Sequence, residues 1–204
     1  GKNGDKSIYN PIYIYGPKGT GKTHLLMGSA HHLISQGTRA IYVHSDTFTE
    51  HVIRAFRESS LIEFRNAYRN IKTLIIDDIH LLARKSATQE ELFHTFNRLH
   101  TAEIQIILSA NSPPHQLKYI EDRLISRFEW GLTAPLTSPT YAIKKTILTK
   151  KIESFSLSLD TDCQDYLLKT FQNLHTLIRA VDALALRNHQ NKTISDIEIV
   201  QTFL

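Results

Sequence analysis

One octapeptide, Gly16-Pro17-Lys18-Gly19-Thr20-Gly21-Lys22-Thr23, restricts this chain more than any other stretch. It has the form G-x-x-x-x-G-K-[ST], and it stands between an apolar run at 12–15 and a helical pattern opening Thr23-His24-Leu25-Leu26. In a strand, loop and helix arranged this way, the glycines let successive backbone N–H groups converge on phosphate oxygens, and the helix adds the positive end of its dipole. Lys22 is expected to reach the β- and γ-phosphates, and Thr23 to offer its hydroxyl to Mg²⁺. Residues 16–24, ending at His24, form the expected nucleotide-binding segment.

Beyond the loop, apolar runs at 40–43, 73–77, 104–109 and 130–132 alternate with helical patterns. That order builds a parallel sheet covered by helices on both faces. The first helix is expected to end at Gly37. Thr47 with Glu50, and Thr88 with Glu91, read as capping boxes. Two helices are expected over 47–70, broken near Ser59-Ser60, with Val52, Ile53 and Phe56 and then Leu61, Phe64 and Tyr68 as their apolar stripes. Arg54, Arg57, Arg65 and Arg69 read first as solvated helix faces, with an anion-facing surface as the lesser alternative.

From 133 onward the composition shifts and no further strand pattern occurs. Ser138-Pro139 reads as an N-cap and first-turn proline ahead of a helix at 141–155. Helices at 162–171, 175–188 and 195–203 follow. The expected organisation is an α/β core over 1–133 and a small helical lid over 134–204, with 1–7 as a polar leader.

A phosphate loop needs help to hold a cation and orient an attacking water. Leu74-Ile75-Ile76-Asp77-Asp78 supplies both carboxylates at the end of a buried strand. Asp77 is the natural partner of Mg²⁺ through its water shell, and Asp78 is placed to orient water. Asn111, after the next strand, fits turn chemistry as well as a contact to the γ-phosphate. Arg123 and Arg127 lie at i and i+4 on one helix face, where they can pair with local acids or reach a neighbouring subunit's γ-phosphate. Arg179 is a charged residue among apolar neighbours, and alone reads as an exposed helix arginine.

Composition narrows the classes. Lys and Arg number 24 against 20 Asp and Glu, a mildly basic balance that permits a polyanionic partner. The single cysteine, Cys163, excludes an internal disulfide and fits a reducing compartment. No membrane span or signal segment is legible, so the expected location is cytoplasmic. No Asn-Lys-x-Asp motif selects guanine, which disfavours a GTPase.

These segments, in this order, resemble the AAA+ ATPase domain of the bacterial replication initiator family DnaA. The resemblance rests on Asn10-Pro11, the octapeptide with His-Leu-Leu, Leu-Ile-Ile-Asp-Asp-Ile-His at 74–80, Thr-Gln-Glu-Glu-Leu-Phe-His-Thr-Phe-Asn at 88–97, and Glu-Asp-Arg-Leu-Ile-Ser-Arg-Phe-Glu-Trp-Gly-Leu at 121–132. It implies a five-stranded sheet of order 5-1-4-3-2. It implies that Asp77 and Asp78 are Walker B, Asn111 sensor 1, Arg127 an arginine finger with Arg123 its companion, and Arg179 the sensor 2 arginine. ATP or ADP with Mg²⁺ is the implied ligand, bound between core and lid. A helical oligomer of the chain with itself is the implied assembly, with hydrolysis slow because completing the site needs a neighbour and Asp78 is shorter than a glutamate.

Single-stranded DNA is an implied partner of the core, with Arg84 and Lys85 the nearest basic candidates. Double-stranded DNA is implied only through a family domain that this stretch does not include, and a replicative helicase or regulators are further implied partners. The segment that contacts adenine in the family lies upstream of Asn10 and has little counterpart here. The same resemblance also admits a regulatory protein built of the AAA+ module alone.

Overall fold

The computed structural model describes residues 9–68 and 70–189. The leader at 1–7, Arg69 and the expected helix at 195–203 fall outside the described residues.

Five strands, β1 (Ile12–Tyr15), β2 (Ala40–His44), β3 (Thr73–Asp77), β4 (Gln105–Ala110) and β5 (Leu132–Pro135), form one sheet in the order β2-β3-β4-β1-β5. Every pairing is parallel, and the order is the 5-1-4-3-2 arrangement of an AAA+ core. All five residues of β3 are buried, as expected for a strand covered on both faces. The period-2 alternation of a strand then divides the core. Leu74 and Ile76 join Tyr13, Val43, Ile106 and Leu108 against one helical layer, while Ile75 meets Leu26 and Ala30 on the other face.

That second layer is α1 (Lys22–Ser35), ended by a turn at Gly37, whose φ of 80° is the left-handed conformation expected there. On the first face pack α2 (Ser45–Arg57), α3 (Leu61–Ala67), α4 (Ser86–Thr101) and α5 (Asp122–Phe128), which contribute Phe48, Val52, Phe64, Phe96, Leu99 and Phe128. Burying each such aromatic or leucine stabilises the fold by roughly 1.5–3 kcal/mol before entropy.

Several local expectations are corrected. Helix α2 opens two residues before Thr47, capped by His44, whose Nδ1 accepts from the Asp46 N–H at 3.3 Å. Its buried stripe is therefore Phe48, Val52 and Ala55, leaving Ile53 and Phe56 at 44% and 49% exposure. Helix α4 likewise opens at Ser86, so Thr88 lies inside the first turn and Glu91 faces α3. There Glu91 takes a bidentate pair from Arg65, at 3.0 and 2.7 Å, so Arg65 is the ion partner of a buried acid while its own side chain stays partly exposed. Strand β5 extends three residues past Leu132. The α3 stripe stands as expected, with Phe64 and Tyr68 buried and Leu61 packed against them.

The chain forms two compact units, Gly1–Thr137 and Ser138–Leu204. In the second, α6 (Tyr141–Ser154), α7 (Thr161–Thr170) and α8 (Leu174–His189) enclose a core of Leu148, Ile152, Leu167, Leu168, Leu177, Val181 and Leu184. Thr140 rather than Ser138 caps α6, accepting from the Ile143 N–H, and Asp160 caps α7 by accepting from Cys163 N–H at 2.7 Å. No described helix is long and apolar enough to cross a membrane.

Candidate nucleotide site

Parallel pairing puts the C-terminal ends of the strands on one edge of the sheet, and the expected chemistry sits there. Tyr15 of β1 aligns with Ala110 of β4, and Ile76 of β3 with Leu108, so the phosphate loop, Asp77 and Asn111 all leave the sheet at this edge. Ligands of open α/β sheets bind at this edge.

The loop from Gly16 is tied into its surroundings. Gly16 N–H donates to Ala110 O at 3.2 Å, and the carbonyl of Leu136 lies where a Gly16 side chain would begin. Gly19 and Gly21 take φ values of 86° and 94°, which only glycine adopts without strain, and Gly21 is the N-cap of α1. The N–H groups of the first turn of α1 consequently open into the loop. Thr20 Oγ1 donates to Pro17 O at 3.0 Å and steadies the turn. Lys22 is 7% exposed, and its ammonium donates to Gly16 O at 2.8 Å and Pro17 O at 3.1 Å, which fixes the charge inside the loop. Pro17, Lys18, Thr23 and His24 are exposed.

Asp77 is fully buried and held from three sides. Ser109 Oγ donates to its Oδ1, Tyr42 Oη donates to Oδ2 at 2.9 Å, and Ser45 Oγ donates to its main-chain oxygen at 2.9 Å. The same Ser109 Oγ accepts from Asp78 N–H at 2.9 Å, so one hydroxyl on β4 positions both acids. Burial first, and then the bond to Asp77, push the Tyr42 phenol well above its ordinary pKa, so it stays a proton donor.

Asp78 has φ 56°, a left-handed conformation that turns its carboxylate away from the strand. It lies between two imidazoles, with His44 Nε2 3.7 Å from Oδ2 and His80 Nδ1 3.8 Å from Oδ1. Because His44 Nδ1 accepts the α2 cap bond, its proton belongs on Nε2, facing Asp78. His80 Nδ1 is buried and has no hydrogen-bond partner among the described residues. Burial is the largest influence on His80 and lowers its pKa; Asp78 opposes this, and the Lys22 charge lowers it further. The Lys22 charge is thereby felt at His80.

Oxygen donors dominate this edge, as a hard cation such as Mg²⁺ requires. Both Asp77 oxygens already accept hydrogen bonds, so the carboxylate suits an outer-shell role through water, while the exposed Thr23 hydroxyl is free for a direct one. Among the described residues no cluster of three or more His, Cys, Asp or Glu that could hold a metal ion occurs.

Asn111, at the same edge, is exposed just past β4 and accepts from Ser112 Oγ at 3.2 Å. Arg123 pairs with Glu121 at 2.6 Å and with Glu90, and lies over Phe93 at 4.5 Å. Arg127 donates through Nε to Asn97 Oδ1 at 2.7 Å and stacks on Trp130 at 3.7 Å. Arg179 is exposed on α8 in the second unit. Lys85 pairs with Asp46 at 3.0 Å, and Arg84 lies on Tyr119. Sequence reasoning missed Tyr42, Ser45, Ser109 and His44; their only signal is a run of polar side chains at neighbouring strand ends.

A family model described as the bacterial DnaA ATPase domain matches residues 1–135. Over 182 residues the chain is 48% identical to a chromosomal replication initiator protein DnaA 2 of Protochlamydia amoebophila, covering 89% of this chain and 40% of that protein. The chain thus spans about two-fifths of the length of this curated relative. Domain III of the Thermotoga maritima replication initiation protein DnaA superposes with a TM-score of 0.91 at 34% identity, covering 96% of this chain and 83% of that one. A replication initiator DnaA bound to AMPPCP and single-stranded DNA superposes with a TM-score of 0.79 at 35% identity, covering 92% of this chain and 59% of that one. With its AAA+ sheet order, its phosphate loop and the paired acids of β3, this chain belongs to the bacterial DnaA ATPase domain family.

Proposed function

We propose that this chain is the ATP-binding and slowly hydrolysing module of a replication initiator, and that ATP governs its self-assembly at an origin. The observation that carries the reading is the shared edge of β1, β3 and β4, where the loop that holds Lys22 and the Asp77–Asp78 pair, itself joined by the Ser109 bonds, leave the sheet together. The loop N–H groups and Lys22 would bind the β- and γ-phosphates, with Lys22 exchanging its loop carbonyls for phosphate oxygens. Mg²⁺, when bound, would neutralise phosphate charge, with Thr23 and Asp77 the residues to hold it. Asp78 would accept a hydrogen bond from the attacking water, with His44 and His80 keeping its carboxylate oriented.

Arg127 and Arg123 carry the assembly half of the proposal. Both are held by their own helix layer, and a neighbour's γ-phosphate offers Arg127 a charge-assisted partner stronger than the Asn97 amide oxygen. ATP then favours the assembled state over ADP because only ATP supplies that contact. Arg179 as sensor 2 and Asn111 as sensor 1 are proposed from the family resemblance. DNA contact, helicase or regulator contact and a cytoplasmic location belong to the same proposal; the DNA-bound relative supports a single strand as ligand.

Sedimentation of wild type and Arg127→Ala in ATP or ADP, with phosphate release followed in parallel, tests the reading. Oligomers of wild type in ATP alone, and their loss in the variant with nucleotide affinity kept, are expected. Equal assembly in ATP and ADP, or rapid hydrolysis by dilute monomer, would overturn it.

A further inference from the structure

The edge loops of the core hold an arginine and a tyrosine locked face to face. The Arg84 guanidinium carbon lies 4.0 Å from the centroid of the Tyr119 ring, and Tyr119 is nevertheless 62% exposed. Arg84 N–H also donates to Tyr119 O at 3.1 Å, so backbone and side chain are both engaged. Each residue takes a left-handed φ, 65° at Arg84 and 60° at Tyr119. Large side chains rarely accept that conformation, and two of them stacked on each other mark a conformation imposed by the surroundings.

What imposes it is Gln89, a residue only 2% exposed. Its amide nitrogen donates to Leu82 O at 2.9 Å and to Tyr119 O at 3.0 Å, and its oxygen accepts from Glu121 N–H at 2.8 Å. One buried amide thus joins the loop after the acid pair to the loop before α5. An exposed aromatic that is fixed in place, covered on one side by a planar cation and bordered by exposed Lys118, has the composition of a single-strand platform. Bases stack on aromatic faces and guanidinium planes irrespective of sequence, while neighbouring cations follow the phosphates.

We propose that Tyr119, stacked on Arg84 and held by Gln89, is a nucleobase-stacking contact for single-stranded nucleic acid. The proposal rests on the single-strand reading given above. It adds a stacking residue from a different loop, and it assigns Arg84 to backing the tyrosine ring rather than to a phosphate alone. Tyr119→Gly is a fold-safe variant, because glycine adopts the left-handed φ without strain.

Fluorescence anisotropy with a labelled oligothymidylate and with an abasic strand of equal length, in ATP and Mg²⁺, tests this. Sedimentation would check that each variant assembles as wild type does. Tyr119→Gly is expected to weaken oligothymidylate binding by about tenfold, Tyr119→Phe to stay within about twofold, and the abasic strand to be insensitive to both. Equal binding of oligothymidylate by wild type and Tyr119→Gly, or equal binding of the two strands by wild type, overturns the stacking contact and leaves single-strand binding standing. No binding of either strand by wild type overturns the stacking contact and the single-strand reading together.

Discussion

The hydroxyl of Tyr42 and the carboxylate of Asp77, on adjacent strands, are joined by a 2.9 Å hydrogen bond in which the phenol donates. With Ser109 on the opposite strand, it leaves the buried acid no rotational freedom. Tyr42→Phe would strand one carboxylate oxygen and destabilise the core by about 1–2 kcal/mol. Urea denaturation followed by circular dichroism measures this. Mg²⁺-dependent ATP hydrolysis is expected to fall more than ATP affinity, since the phosphate loop is untouched.

His80 gives stability a pH dependence of known sign. Its folded-state pKa is lowered from 6.5, chiefly by burial, so the unfolded chain binds more protons as pH falls. This contribution is intact above the unfolded value and is lost from there down through the lowered folded pKa. His80→Gln should flatten the slope of unfolding free energy against pH in that window. A slope equal to wild type in the variant would locate the titration elsewhere.

Arg65 and Glu91 tie α3 to α4 through a carboxylate whose side chain is 4% exposed, while the guanidinium is 41% exposed. Arg65→Ala leaves that acid buried and unpaired, and should cost roughly 2 kcal/mol after allowance for the exposed partner. Adding Glu91→Leu should recover most of the loss, because a buried leucine in place of the acid needs no ion partner. A thermodynamic cycle over the four proteins reads the coupling directly.

Trp130 supplies the face on which Arg127 rests. Trp130→Ala should raise the concentration needed for ATP-dependent assembly by about threefold to tenfold, the span of a partly desolvated cation–π contact. Nucleotide affinity of dilute monomer should not change. Sedimentation velocity across a concentration series, beside nucleotide titration, separates the two.

Much of this was legible in the residues, and the limits have a physical cause. The phosphate loop and the acids of β3 are contiguous in sequence, and their chemistry follows from local spacing. Tyr42 and Ser109 were not legible as partners of Asp77, because their meeting depends on which strands are neighbours and in what register. The capping boxes at Thr47 and Thr88 failed for a related reason. The first turns are held by tertiary partners instead: Ser45 by Asp77 O at α2, and in α4 the buried Gln89 and Glu91 by Leu82 O and Arg65. Arg127 was legible as a candidate finger, but its seat on Trp130 and Asn97 required knowing how α5 faces α4.

The sheet order also dictates a schedule for synthesis. β1 leaves the ribosome first, yet its partners are β4 and β5, with Ile12 aligned to Ile107 and to Leu132. β2 and β3 pair with each other and can associate much sooner. The nascent phosphate loop therefore has no sheet to stand on until nearly the whole core has emerged. Chains released before β4 would carry an unpaired apolar strand, a natural substrate for chaperones and proteases.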